Sequence, residues 1–290
     1  MDSNNINFPI VISYETDTDN KNYILYKKTL ENNKWDYKFI GQGLKWNGFR
    51  DKIIGYYNEI QKYPDNKIFI LTDARDVFCL RSSKFLMDKI NNIIDTKIII
   101  SAELYLRGNL NWTTQQIEDK LKIDPTYFYQ GVQLIQYFDY YNKSDSLPSR
   151  KYLNSGLIIG KASNLKTMFK WCIDNNYNDD QLALAEYTNK FPEQIYLDYD
   201  ANFLHTSTAF VNCSTSNFNI QIQDSPTFQE LSGMTSYFLH IPGKGIGQTQ
   251  LYNMIYNLFN NNLIKNLYSL YNIQPHNDKD GVKNIYFVSN

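Results

Sequence analysis

Residues 67–78 read Lys-Ile-Phe-Ile-Leu-Thr-Asp-Ala-Arg-Asp-Val-Phe. The apolar run from Ile68 to Leu71 has the length and branching of a strand buried on both faces. It stops on two carboxylates, Asp73 and Asp76, three positions apart. In an open α/β sheet, ligands collect outside the carboxyl ends of the strands. Hard divalent cations at such a place take carboxylate oxygens and keep substrate phosphates as further ligands. A strand that ends in Asp-x-x-Asp is therefore a candidate site for a metal and a diphosphate. The same spacing also serves helix caps and turns, so the rest of the chain must decide.

On both sides of this stretch the pattern alternates. Residues 9–14 read as a strand, 22–33 as a helix with Tyr23, Leu25, Tyr26 and Leu30 on one face, and 37–40 as a second strand closed by Gly41-Gln42-Gly43. A helix is expected over 50–63, where Ile53, Ile54, Tyr57 and Ile60 recur at helical spacing. After the 68–71 strand come a helix around 83–94 and a strand over 97–101. Strands alternating with helices predict an α/β fold with a parallel, doubly wound sheet.

Residues 104–149 have few regular runs beyond a helix expected near 112–123 and a cluster of tyrosines and phenylalanines, the pattern of a lid or substrate wall. Regular elements resume with a strand over 152–159, helices over 165–175 and 179–189, and a short strand over 194–197. With no internal repeat or linker, the expected division is one domain over 1–252 and a helical C-terminal extension over 253–290.

The 290 residues, 42% of them hydrophobic, suffice for a sizeable core. A formal net charge of −1 supplies no general attraction to nucleic acid or a membrane surface. Cys79, Cys172 and Cys213 are widely spaced and fit no metal-ligand pattern, so reduced thiols are expected. The opening Met1-Asp2-Ser3-Asn4-Asn5 lacks the basic and apolar regions of a secretory signal, and no apolar run approaches membrane-spanning length. The expectation is a soluble, cytoplasmic protein with neither nucleic acid nor membrane as partner.

Three further motifs bear on the acidic pair. Asn154-Ser155-Gly156 opens an apolar strand; Gly156 allows close backbone approach to a ligand, and Asn154 offers both a donor and an acceptor. Taken alone, these residues are better explained by a bulge glycine at a strand start. In Asn178-Asp179-Asp180, capping a helix needs one acidic group, which leaves the second to orient a sugar hydroxyl or help activate an acceptor. His240-Ile241-Pro242-Gly243-Lys244 follows another apolar run. Its imidazole suits a transition metal, and Lys244 on a glycine turn can reach a diphosphate.

The order strand–Asp-x-x-Asp, Ser101-Ala102-Glu103, Leu153-Asn154-Ser155-Gly156, Asp179-Asp180-Gln181, Leu197-Asp198 and His240-x-x-Gly243-Lys244 resembles the glycosyltransferase domain of the lysyl hydroxylase (procollagen glycosyltransferase) family. The resemblance runs from Pro9 to Gly247, and nothing resembles that family's hydroxylase domain. It implies a GT-A type, Rossmann-like fold that holds a UDP-sugar through Mn2+. Carried over, Asp73, Asp76 and His240 match the metal ligands, and Asp73 would also lie near the donor ribose. Ser13, Tyr14 and Thr16 would flank the uracil. Arg50, Asn154, Gly243 and Lys244 would serve the donor, while Glu103, Asp179 and Asp180 would face the transferred sugar and acceptor.

The implied partners are a UDP-sugar and a collagen-like glycosylated acceptor, with a homodimer among the assemblies left open. The implied reaction places glucose on galactosyl-hydroxylysine with retention. Galactosyl transfer to hydroxylysine, transfer to another glycan, and a non-catalytic sugar-nucleotide or glycan-binding module remain alternatives. Two departures stand out. The family's Asp-x-Tyr-Asp is Asp73-Ala74-Arg75-Asp76 here, and its Trp-Pro after Ser-Ala-Glu is replaced by Leu104-Tyr105. A nucleotidyltransferase would carry a glycine-rich loop after the first strand, where this chain has Ser13-Tyr14-Glu15-Thr16.

Overall fold

A computed structural model of the chain describes residues 8–83, 86–103, 152–206 and 236–242, with short pieces at 119, 122–123, 128–129, 132–133, 210–211, 222–223, 275–277 and 283–285. Its centre is a nine-stranded sheet. The strands are β1 (Ile10–Tyr14), β2 (Asp36–Ile40), β3 (Ile68–Thr72), β4 (Val77–Cys79), β5 (Ile98–Glu103), β6 (Tyr152–Lys161), β7 (Ile195–Asp198), β8 (Leu204–Thr206) and β9 (Phe238–His240). They lie in the order β2-β1-β3-β6-β5-β8-β9-β4, with β7 paired to β5 off this path. The helices are α1 (Lys21–Asn32), α2 (Phe49–Ile60), α3 (Leu86–Ile94), α4 (Ala162–Asp174) and α5 (Asp180–Lys190).

The pleat of the strands explains why helices cover both faces. All five residues of β3 are buried, and alternate side chains feed opposite cores. Phe69 and Leu71 join Ile12, Ile98, Ile100 and Ile158 beneath α2, α4 and α5. Ile68 and Ile70 join Val11, Ile99, Leu157 and Ile159 beneath α1 and α3. Apolar residues at every position of a short run therefore mark a strand between two helical layers.

The expected α/β architecture with a mostly parallel sheet is present. β1 pairs in parallel with β2 and β3, β5 with β7 and β8, and β8 with β9. The doubly wound parallel pattern is corrected at β6, which runs antiparallel to both β3 and β5, and at β4, which runs antiparallel to β9. The apolar run of β6 encodes burial, not direction, and its direction follows from where the preceding excursion returns to the sheet. β4 and β8, at three residues each, are too short to register as periodic signals. α2 ends at Ile60 instead of 63. Pro64 disfavours helical backbone in the residue before it, which accounts for the early stop.

Most of 104–151 and of the 253–290 extension lies outside the described residues. Within the first, Phe128–Tyr129 pairs antiparallel with Val132–Gln133. Within the second, where a helix was expected, Pro275–Asn277 pairs antiparallel with Lys283–Ile285. Cys79 and Cys172 are buried free thiols, and burial pushes the Cys172 thiol up to about 12. Among the described residues no helix is long and apolar enough to cross a membrane.

Asp198 shows how a motif acidic residue can serve the fold. It is fully buried at the end of β7, and its carboxylate accepts the backbone N–H groups of Asn202, Phe203 and Leu204 at 2.9, 2.7 and 2.8 Å. Those bonds form the turn into β8, while burial raises the Asp198 pKa above the ordinary carboxylate value. Asp198→Ala leaves three backbone donors, two of them buried, without their acceptor, so urea unfolding should show a loss of about 3 kcal/mol.

Candidate active site

Strand register brings the sequence-distant acidic and imidazole groups together. Asp73 follows β3 directly, and its N–H donates to the Gly156 carbonyl of β6 at 2.9 Å. On the other side, β4 pairs with β9 so that Val77 opposes His240, and the Ile241 N–H donates to the Asp76 carbonyl at 2.8 Å. Asp76 and His240 are neighbours because two strand ends are laced together. One ligand atom each from Asp73, Asp76 and His240 lies within 4.8 Å of the others.

An irregularity in β6 shapes the floor of this site. Ile100 opposes Ile158, yet the next residue, Ser101, opposes Asn154. Residues 155–157 are thereby bulged out of the β5 ladder, at the place where bulges re-aim side chains near active sites. A Cβ on Gly156 would overlap the His240 ring and lie 2.9 Å from Asp73 Oδ2. Glycine is required there by space.

Asn154 Oδ1 accepts the Gly156 N–H at 2.9 Å and lies 2.8 Å from His240 Nδ1. An oxygen that already accepts one N–H acts as acceptor for the other, so His240 Nδ1 carries the proton and Nε2 faces the carboxylates. Nε2 is buried without a hydrogen-bond partner, 3.4 Å from Asp73 Oδ2 and 3.5 Å from Asp76 Oδ2. A hydroxyl relay steadies Asn154: Thr206 Oγ1 donates to Ser101 Oγ at 3.0 Å, and Ser101 Oγ donates to the Asn154 carbonyl at 3.0 Å. Burial opposes a charge on His240, but the carboxylates of Asp76 and Asp73 outweigh it and hold the pKa above the ordinary imidazole value. An orphaned imidazole nitrogen beside two carboxylates, with its tautomer held from behind, fits a divalent metal.

Lys52 was not singled out from the sequence. It lies on α2, is buried, and its ammonium bonds Asp73 Oδ1 and, at 2.6 Å, Asp180 Oδ2. Burial opposes its charge, yet Asp180 and Asp73 hold its pKa well above the ordinary lysine value. The available signal was positional. Lys52 precedes Tyr56 and Ile60 at steps of four, on the face that α2 buries.

The remaining expected residues divide between the site and its scaffold. Asp179 caps α5 by accepting the Leu182 N–H at 2.8 Å, whereas Asp180 is buried and its Oδ1 has no hydrogen-bond partner. Glu103, at the end of β5, accepts from Gln181 Nε2 at 3.1 Å, which brings it beside the first turn of α5. Arg50 donates to the Tyr177 carbonyl at 2.9 Å and so ties the start of α2 to the turn before α5. Ser13 is buried, its hydroxyl 2.5 Å from that of Thr72. Tyr14 and Thr16 line a cleft of about 310 Å3 together with Glu15, Trp46, Phe49, Lys52 and residues 73–76. Gly243 and Lys244 lie outside the described residues.

No protein-family model and no curated protein sequence matches the chain. Among solved structures, it is similar to a glycosyltransferase involved in the glycosylation of the major capsid of PBCV-1, over 85% of this chain and 98% of that one, with a TM-score of 0.48 and 9% identity. It is also similar to a 4-diphosphocytidyl-2C-methyl-D-erythritol synthase from Anaerococcus prevotii DSM 20548, over 66% of this chain and 87% of that one, with a TM-score of 0.38 and 10% identity. At these values neither likeness carries an argument about the chemistry of this chain.

Two outcomes follow from the geometry. A divalent cation held by this cluster, at about a hundred times its Kd, should stabilise the protein by about 2.7 kcal/mol in thermal unfolding. Asp76→Ala, His240→Ala and Gly156→Ala should each abolish that shift. Lys52→Met strands the buried Asp180 carboxylate and should cost about 3–5 kcal/mol in denaturant unfolding, most of it recovered by pairing the change with Asp180→Asn.

Proposed function

We propose that this protein is a metal-dependent glycosyltransferase that moves a hexose from a UDP-sugar to an acceptor hydroxyl, with Asp73, Asp76 and His240 holding Mn2+. The observation that carries this reading is the convergence of those side chains around the buried Nε2 of His240, which has no hydrogen-bond partner, beside a cleft of about 310 Å3 that Asp73 and Asp76 help to line. Bound there, the metal would supply Lewis-acid stabilisation of the charge developing on the diphosphate leaving group.

The chain's own residues divide the remaining work. Lys52 keeps Asp73 and Asp180 in one frame and adds a fixed positive charge beside the phosphates. Asp180 offers a buried carboxylate oxygen to a hydroxyl of the transferred sugar, and Glu103 faces the sugar and acceptor from β5. Tyr14 and Thr16 contact the nucleoside at the far end of the cleft, with Ser13 behind them. Asn154 acts on the donor through His240, whose orientation it holds. Arg50 sets the turn that carries Asp179 and Asp180, and a role for Lys244 on the diphosphate rests on its sequence motif alone.

The order of motifs along the chain supports one reaction within this class: glucose from UDP-glucose to galactosyl-hydroxylysine of a collagen-type acceptor, with retention. UDP release should be measured with UDP-glucose and UDP-galactose, with Mn2+ or EDTA, and with or without a galactosylated hydroxylysine peptide. The expected result is metal-dependent release from UDP-glucose, stimulated by the peptide and lowered at least about a thousandfold in Asp76→Ala. Release from UDP-galactose alone would move the assignment to galactosyl transfer. No release from either donor, with nucleotide still bound, would make the protein a binding module.

A further inference from the structure

Arg75 interrupts the acidic motif, and the structure shows what holds it. Glu15, directly after β1, is a buried carboxylate with only 2% of its surface exposed. Its Oε2 accepts from Arg75 Nε at 2.8 Å and its Oε1 from Arg75 Nη2 at 2.5 Å, while Oε1 also accepts the Asp17 N–H at 2.8 Å. Neutralising a buried carboxylate would be reason enough for a cation. It does not explain why the Arg75 side chain remains 47% exposed and lines the cleft.

The position of this clamp within the cleft is informative. Arg75 adjoins Asp76 in sequence, at the metal end, and its guanidinium reaches back to Glu15, next to Tyr14. The Tyr14 ring lies 5.8 Å from that of Trp46, which lies 5.6 Å from Phe49, and all three line the same cleft. A diphosphate on the metal side would place its nucleoside along this wall. There it would meet aromatic rings, which stack on any base, and a guanidinium whose Nε–Nη2 edge is held by Glu15 and whose orientation is thereby fixed in advance. A guanidinium only donates, so it recognises acceptor atoms, and its bidentate anchoring has already met the entropic cost of ordering a long side chain.

We propose that Arg75, clamped by Glu15, is the specificity-determining residue for the nucleotide, donating to a ring carbonyl oxygen of the base. This rests on the nucleotide-donor reading above and deepens it. Uracil and guanine carry ring carbonyl oxygens; adenine carries none. The pair therefore selects uridine or guanosine diphosphates against adenosine diphosphate.

The test is equilibrium binding of UDP, GDP, ADP and inorganic pyrophosphate in Mn2+, with wild type, Arg75→Lys and the double variant Glu15→Gln/Arg75→Met. The double variant removes both charges and leaves no buried ion unpaired, and a thermal melt checks that it folds. Wild type should bind UDP or GDP at least about tenfold more tightly than ADP. In both variants that preference should collapse while pyrophosphate affinity holds. Equal loss for nucleotides and pyrophosphate would assign Arg75 to the phosphates, and equal loss for all three nucleotides alone would assign it to the ribose; either result overturns the proposal. So does an unchanged preference, which would leave Arg75 as a counter-ion to Glu15. A wild type that binds pyrophosphate but discriminates among no nucleotides refutes base reading alone, whereas one that binds neither removes the donor reading itself.

Discussion

The buried ammonium of Lys52 is the constraint around which the site is arranged. It stands between a carboxylate at the end of β3 and one in the first turn of α5, and it belongs to α2, which packs on the same face of the sheet as α5. Neither Lys52 nor Asp180 is tolerable alone at that depth, because an isolated buried charge costs far more than a paired one recovers. Each therefore fixes the other. The result is a rigid link between the metal side of the site and the sugar side. Arg50, bound to the Tyr177 carbonyl, repeats the link two residues closer to the start of α2.

The reversed strand supplies the other half of the frame. β6 pairs with β3 on one side and β5 on the other, and its bulge at 155–157 lets it serve both at different registers. Asn154 then points at His240 while Gly156 clears space beside it. The imidazole is held by Asn154, itself steadied by Ser101 and Thr206, so three strands contribute to the orientation of one ring. Site geometry held from behind in this way is what metal and transition-state chemistry demands.

Charge in the cleft is distributed in paired units. Glu15 is matched by Arg75, and Asp180 shares Lys52 with Asp73. The carboxylates of Asp73 and Asp76 facing His240 are where a divalent cation fits. The arginine between the two aspartates thus has a structural partner, and its half-exposed position gives it a surface on which to act.

Much of the architecture was legible in the residues themselves, for a physical reason. Continuous short apolar runs such as Ile68 to Leu71 and Ile98 to Ile100, rich in branched residues, read as strands covered on both faces, and helical spacing in 50–63 and 165–175 marks their covering layers. The Asp73–Asp76 pair at a strand end and the imidazole at His240 were visible as chemistry, and the resemblance alone, not the residues themselves, joined them into one expected metal site. Local sequence cannot show direction or register, since those depend on where a distant segment re-enters the sheet. The reversal of β6, the short strands β4 and β8, and the strand pairing that brings Asp76 to His240 were therefore decided only by the tertiary structure. Lys52 shows the same division: its helical position implied burial, but only folding could reveal the two carboxylates that make burial of its charge possible.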